Sequence, residues 1–369
     1  MRISIIGAGP GGLTCARILQ KHGIPVKVYD RDPHPEARNQ GGTLDLHADN
    51  GQLALREAGL LDEFFALARP EGQEMRKLDM AGRILEHHVP AEGELFKPEI
   101  DRGRLRRLLL GSLEPGTVEW GRTLVAVGGS GQLRFADGTI AETDLVIGAD
   151  GAWSRVRPAV SAAVPEYSGI TFLEAWFEDV DNAHPEIAAL VGQGSAMAAD
   201  GERCLFAQRN SGDHIRVYVI QRLPADWIGA GDTAEIRARL LDAFSEWSPP
   251  MLRMITDNDG PYVDRPLFVL PVPHTWKHTP NVTLLGDAAH LMPPLGVGVN
   301  LAMLDACELA LALAGSATIG EAVATYEKTM LPRSVEIARQ LENGAEGLLD
   351  APADEGYSPV VLSVSAQSD

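Results

Sequence analysis

Six residues near the amino terminus, Gly7-Ala8-Gly9-Pro10-Gly11-Gly12, constrain this chain more than any other stretch. They lie between an apolar run at 3–6 and a segment with helical spacing at Leu13, Ala16, Ile18 and Leu19, which predicts a buried strand turning tightly into a helix. The pattern is G-x-G-x-x-G, which lets backbone approach a pyrophosphate and presents helix N-terminal N–H groups to it. Gly23 ends the helix, and Val26, Val28 and Tyr29 predict a second strand closing at Asp30, so residues 2–30 read as a βαβ unit with a parallel sheet. An acid at that strand end accepts ribose hydroxyls and disfavours a 2′-phosphate. Gly7, Gly9, Gly11, Gly12, Asp30 and the adjacent Arg31 are therefore the first cofactor-binding candidates. The motif alone leaves open whether the dinucleotide is NAD or FAD.

Composition narrows the partner. With 32 Lys+Arg against 51 Asp+Glu the net charge is −19, which argues against nucleic acid and anionic membrane and leaves a small molecule. Cys15, Cys204 and Cys307 are widely spaced and suggest neither a disulfide framework nor a zinc site, so a reducing, cytoplasmic compartment is expected. No H-E-x-x-H or H-x-H spacing occurs among the histidines and no G-x-S-x-G elbow occurs, so neither a metal site nor a serine hydrolase is expected. The apolar stretches fall short of the roughly 20 residues of a membrane span, and the glycines of 7–12 would interrupt a signal peptide.

Further along, helices are expected over 53–60 and 102–113, and strands over 75–89 around Ala81-Gly82, 118–127, 132–135 and 144–147. From 168 to 273 the texture is that of strands, with a hairpin of 203–208 and 215–221 across Asn210-Ser211-Gly212-Asp213. A short strand at 282–285 then leads into Gly286-Asp287, a Pro/Gly-rich loop, and helices over about 300–313 and 319–344. A first domain is thus expected from 1–74, 99–165 and 276–347, a second from 75–98 and 166–275, and a loose tail at 348–369.

Two later segments bear on the cofactor. Leu145-Val146-Ile147-Gly148-Ala149-Asp150-Gly151-Ala152-Trp153-Ser154-Arg155-Val156-Arg157 and Leu284-Leu285-Gly286-Asp287-Ala288-Ala289-His290 each place an Asp beside Gly at a strand end. With the first motif they resemble the single-component, para-hydroxybenzoate-hydroxylase-like flavin monooxygenases. The chain is more similar still to the tetracycline-inactivating members, through Gly41-Gly42-Thr43-Leu44-Asp45-Leu46-His47, Leu55-Arg56-Glu57-Ala58-Gly59-Leu60 and Glu99-Ile100-Asp101-Arg102, over roughly 1–160 and 276–345. The resemblance implies an α/β fold with a Rossmann-like, three-layer ββα FAD-binding domain, an inserted mainly β substrate domain and C-terminal helices. It implies that Asp45, Arg102 and Asp287 contact FAD, Asp287 through the ribityl chain, that Asp150 lies in a cofactor motif, and that Arg38 lies where NADPH is met.

From the residues alone, a carboxylate at Asp287 after a buried strand accepts hydroxyls, and Gly286 removes an obstructing side chain. The loop Pro293-Pro294-Leu295-Gly296-Val297-Gly298-Val299-Asn300 delivers a helix N-terminus, which adds Gly298 and Asn300 as candidates to stabilise negative charge on a flavin ring. Only one dinucleotide motif is present, so NADPH is expected to bind transiently. The implied reaction is hydroxylation of an aromatic or polycyclic, tetracycline- or polyketide-like molecule with O2 through a flavin C4a-hydroperoxide. A flavoprotein reductase or dehydrogenase, or a drug-sequestering flavoprotein, is the alternative.

Substrate contacts are expected from the second domain and the loop. Period-two alternation puts Phe206 and Gln208 on one face of a strand and Arg216 and Tyr218 on one face of its partner. The positions matching the family's tetracycline-contacting Gln, Arg and His are Glu174, Ser195 and Asp200, so none is retained. The expected lining is Glu174, Asp200, Phe206, Gln208, Arg216, Tyr218 and Pro294. No catalytic residue is identified, and a monomer or weak dimer is expected.

Overall fold

The structure, a computed structural model, describes residues 1–37, 41–224 and 231–341 together with Gly347 and Leu349. At its centre Ile3–Ile6, buried along its whole length, pairs in parallel with Val26–Tyr29 on one side and Leu145–Gly148 on the other. Val282–Leu284 extends the sheet beyond 145–148, and Val118–Glu119 extends it beyond 26–29, both parallel. Continuous apolar runs suit a sheet covered on both faces. Ile5 meets the first helix, Pro10–Lys21, while Tyr29, in register with Ile6, packs on Phe135 of the antiparallel strands 124–128, 132–135 and 140–142, ring centroids 4.9 Å apart. Helices, parallel sheet and antiparallel meander therefore form three layers around one core.

Several helix boundaries differ from expectation, the 102–113 helix being Arg102–Gly111. The helix placed at 53–60 runs Gly51–Ala58, ends on Gly59 in the left-handed region (φ +70°) and is followed by a second helix, Leu61–Leu67. The helix placed at 300–313 is Gly298–Gly315, and the last long helix is Ile319–Gln340. Gly298–Gly315 also corrects the expectation about apolar length, because its 18 residues have a mean hydropathy of 1.4 and would suffice by composition to cross a membrane. Here that apolarity is spent on the core: the helix packs against Pro10–Lys21 and Ile319–Gln340 and buries Leu301, Met303, Leu309 and Ala310. The tail expected at 348–369, Leu349 apart, lies outside the described residues.

A second, seven-stranded sheet runs in the order 263–269, 166–177, 214–222, 203–210, 195–199, 75–78, 84–88, antiparallel throughout except where 195–199 meets 75–78. Its strands come from two separated stretches of chain. One face, with Leu173, Ala175, Phe177, Leu205, Ala207, Val217 and Val219, is covered by helices Val180–Ala183, Pro185–Val191, Thr233–Ala243 and Pro249–Thr256. The reading of 168–273 as strands missed this helical layer. The signal was present: Asp232 and Glu235 form a reciprocal capping box ahead of Ile236 and Leu240. The other face, including Phe172, Phe206, Tyr218 and Met197, looks toward Met292, Leu295, Val297 and Leu301 of the first domain.

Candidate active site

Three of the four glycines in the first turn are committed to packing. A Cβ at Gly7 (φ +109°) would stand 2.3 Å from the Ala149 carbonyl oxygen, one at Gly12 2.1 Å from that of Gly7, and one at Gly11 2.9 Å from that of Ala302. Gly9 is different: at φ −81° its Cβ would meet no protein atom within 4 Å. Close approach from outside is therefore open at Gly9, beside first-turn N–H groups that have no intrahelical acceptor. Both features fit a pyrophosphate.

Asp30 braces this turn. One carboxylate oxygen accepts the Ala8 N–H at 2.6 Å and the other the Asp32 N–H at 2.8 Å, and the residue is buried. Each oxygen keeps a further lone pair for a ribose. Arg31 is exposed next to it, and Arg38 lies outside the described residues. Arg106, which sequence reasoning missed, holds the same turn from the other side: its Nε donates to the Ala8 carbonyl at 3.1 Å, Nη1 donates to the Pro35 carbonyl, and its guanidinium lies over Trp120. The available signal was an arginine on the buried stripe of its helix, between Leu105 and Leu109.

Asp150 is half-buried and accepts from Ser154 Oγ at 2.6 Å and from the Arg155 N–H at 2.7 Å; burial holds its carboxyl above the usual range. That order extends to Arg157, also missed, which donates to the carbonyls of Ala288 (2.8 Å), Ala152 (2.9 Å) and Asp287 (3.0 Å) and so ties the 148–157 segment to the 286–290 turn. Asp287 itself is exposed, and its carboxylate makes no hydrogen bond or ion pair among the described residues. Its Oδ1 lies 3.9 Å from where a Gly298 Cβ would be, at the start of the 298–315 helix.

The Asn300 side chain is structural. Its side chain is fully engaged: Nδ2 donates to the carbonyls of Asp45 (2.9 Å) and Gly296 (3.1 Å), and Oδ1 accepts the N–H groups of His47 (2.8 Å) and Gly51 (3.3 Å). The amide is a joint between the helix and the 43–51 segment, with no capacity left for a cofactor. What the helix start offers is backbone N–H, at Gly298, Val299 and Asn300, since the Leu301 N–H, donating to the Val297 carbonyl at 2.9 Å, makes the first intrahelical bond.

Asp45 lies beside the same loop, with both carboxylate oxygens within 3.7 Å of where a Gly296 Cβ would be and with His47 Nε2 3.0 Å from Oδ2. Across the two-stranded pair of Thr43–Asp45 and Glu99–Asp101, Asp45 faces Glu99 directly. Glu99 is buried and accepts the Thr43 hydroxyl at 2.5 Å. Burial first, and the neighbouring Asp45 second, push its carboxyl up to about 8. Arg102 is exposed at the start of its helix, next to Gly41, while Pro294 is exposed in the loop.

The side of the second sheet turned away from the helices brings four expected residues together. Phe206 faces Tyr218 and Gln208 faces Arg216 across the hairpin, and Phe172 and Phe206 both pack on Tyr218 at 5.9 and 6.3 Å. Arg216 lies over the Trp176 ring at 3.5 Å and pairs with Glu174, whose second oxygen accepts from Arg265 Nε at 3.1 Å. Glu174 is thus on the expected face but is buried beneath two arginines. Burial lowers the Arg216 guanidinium and raises the Tyr218 phenol. A Cβ at Gly42 would lie 3.0 Å from the Tyr218 hydroxyl, so the 41–43 turn abuts this wall.

Asp200 is on the opposite face, which corrects its placement in the cavity. It shares parity with Ala196 and Ala198, which face the helices, and accepts from Trp247 Nε1 at 3.0 Å and from Arg203 Nε at 2.8 Å. Among the described residues no group of three or more His, Cys, Asp or Glu side chains could hold a metal ion, and the three cysteines are free and buried.

Comparison with known proteins agrees with this architecture. The family described as FAD binding domain matches residues 1–343. The monooxygenase penA of Penicillium thymicola is 33% identical, over 90% of this chain and 92% of its own. Among solved structures, HpxO of Klebsiella pneumoniae complexed with FAD and uric acid superposes with a TM-score of 0.80 at 24% identity, covering 94% of this chain and 88% of the other. The tetracycline destructase Tet(51) does so at 0.69 and 18% identity, covering 94% and 91%; both likenesses speak for the fold alone. The chain belongs to the FAD-binding-domain family and is an FAD-dependent monooxygenase.

Proposed function

We propose that this monooxygenase consumes NADPH and O2 to hydroxylate a flat aromatic or polyketide-like molecule held against the Phe172, Phe206 and Tyr218 face of the second sheet. The observation that carries the reading is that face itself: an aromatic surface with an ion-paired Arg216–Glu174 edge, turned toward the loop that precedes the 298–315 helix. HpxO, whose structure was determined with uric acid, binds a flat heterocycle on the same fold, which supports the class of ligand.

In this reading the open backbone at Gly9, with Gly11 and Gly12, takes the pyrophosphate, Asp30 the ribose and Asp287 a ribityl hydroxyl, while Asp45, Arg102 and the N–H groups of Gly298, Val299 and Asn300 border the flavin ring. FAD, when bound, accepts hydride from the nicotinamide and activates O2. The protein orients the substrate, and its packed aromatic wall excludes water. NADPH is placed as a transient visitor because the chain has a single dinucleotide motif, and Arg38 is assigned to meet it. A reducing, cytoplasmic setting accords with the three buried free thiols.

The test is NADPH oxidation by the purified holoprotein across a panel of phenolic and polycyclic compounds, with O2 uptake and product mass recorded together. Compound-stimulated oxidation matched by O2 consumption and a gain of one oxygen atom is expected. Turnover that persists without O2, or tight compound binding without oxidation, would overturn the proposal.

A further inference from the structure

Below the exposed Asp287 lies a buried network that the reading above does not use. The chain leaves strand Val282–Leu284, turns at Gly286 (φ +57°) and forms the four-residue helix Asp287–His290. Asp305, two turns into the Gly298–Gly315 helix, is fully buried beneath it. One oxygen, Oδ2, accepts both the Gly286 N–H at 3.0 Å and His290 Nε2–H at 2.6 Å, so a single atom grips the turn on either side of Asp287. The other, Oδ1, accepts Arg333 Nη2–H at 2.8 Å from the Ile319–Gln340 helix, and Arg333 continues to Glu308. A Cβ at Gly286 would lie 2.8 Å from that of Ala302, one turn before Asp305, so the turn is pressed onto the helix as well as bonded to it.

His290 and Asp305 are too deeply buried to meet a cofactor. Their only outlet to the site is the direction in which the turn presents the Asp287 carboxylate, beside the start of the helix that carries Asp305.

We propose that Asp305 is a positioning residue for the cofactor: gripping Gly286 and His290, it aims Asp287 at the ribityl chain, so FAD affinity depends on a carboxylate that never touches FAD. The inference rests on the assignment of Asp287 to FAD.

A double-mutant cycle tests it. FAD is stripped from wild type, Asp305→Asn, Asp287→Ala and the double variant; FAD dissociation constants are measured by flavin fluorescence, and thermal unfolding of each FAD-free form is recorded. Losing a charge-assisted hydrogen bond to the turn should weaken FAD binding by about ten- to a hundredfold in the wild-type background. In the Asp287→Ala background the same substitution should change binding less than about threefold, since no carboxylate remains to be aimed. Equal factors in both backgrounds, or unchanged affinity in the single variant, would overturn the proposal. If Asp305→Asn does not fold, the same cycle with His290→Gln decides. FAD binding by wild type that Asp287→Ala leaves intact would sink the Asp287 assignment and this inference together, whereas additive factors would sink the inference alone.

Discussion

Replacing Glu99 by glutamine isolates the electrostatic consequence of two carboxyl groups facing each other across a strand pair. Glutamine keeps the volume and an acceptor for the Thr43 hydroxyl but does not titrate. In the folded protein the Glu99 carboxyl sits at about 8, against an ordinary value of 4.5, because burial disfavours its ionised form first and the neighbouring Asp45 disfavours it second. Between those values the unfolded chain has already released the proton that the folded protein retains. The folded protein is therefore destabilised progressively as pH rises from 4.5 to about 8, and the loss is complete above 8. The difference corresponds to a ceiling of about 5 kcal/mol, and structural relaxation with water entry brings the expected loss to about 2–3 kcal/mol. Urea denaturation of FAD-free wild type and Glu99→Gln at a series of pH values from 5 to 9 measures it directly. Wild type should lose about 2–3 kcal/mol relative to the variant across that range. A stability gap that stays constant from pH 5 to 9 would show that Glu99 is ionised in the folded protein and that the account of this pair is wrong.

Gly9→Ala should leave the FAD-free protein within about 1 kcal/mol of wild type, since φ −81° suits alanine and the new methyl meets no protein atom, yet weaken FAD at least about tenfold. Gly12→Ala should instead cost several kcal/mol and lose both fold and flavin, because its Cβ falls 2.1 Å from the Gly7 carbonyl oxygen; calorimetry and flavin retention separate the two. Glu174→Ala removes the carboxylate paired with the buried Arg216 and should destabilise by about 3–5 kcal/mol in thermal unfolding, with a milder loss for Glu174→Gln. Asp200→Ala removes the acceptor of Trp247 Nε1 on the helix-covered face and should cost about 1–2 kcal/mol while leaving the affinity for any aromatic ligand unchanged; a shifted ligand profile would return Asp200 to the cavity.

The parts legible in the sequence were those with a local signature. Glycines that would collide with backbone at Gly7 and Gly12, the apolar run at 3–6 and the period-two pattern that puts Phe206 and Tyr218 on one wall are all short-range consequences of backbone geometry. Parity also shows why Asp200 was misplaced: matching to a family position ignored that it alternates with Ala198 toward the helices. The partners of Arg157 and Asn300 were beyond reach for a different reason. Each residue bonds backbone of segments more than a hundred residues away, and nothing in their own neighbourhood records those partners. Asp30 falls between: its position announced a ribose contact, while its grip on the Ala8 N–H became visible only with the turn built.

The parallel sheet joins strands from the first 30 residues to strands as distant as 282–284, and this has a consequence during synthesis. Gly11 packs against Leu285 and Ala302, and strand Val282–Leu284 docks onto Leu145–Gly148. The glycine turn therefore leaves the ribosome long before its own supports exist, by about 15–60 s at ordinary elongation rates. The turn's final packing is thus a late, near post-translational event. A nascent chain stalled before residue 280 carries the glycine turn without the Leu285 and Ala302 contacts that close over it.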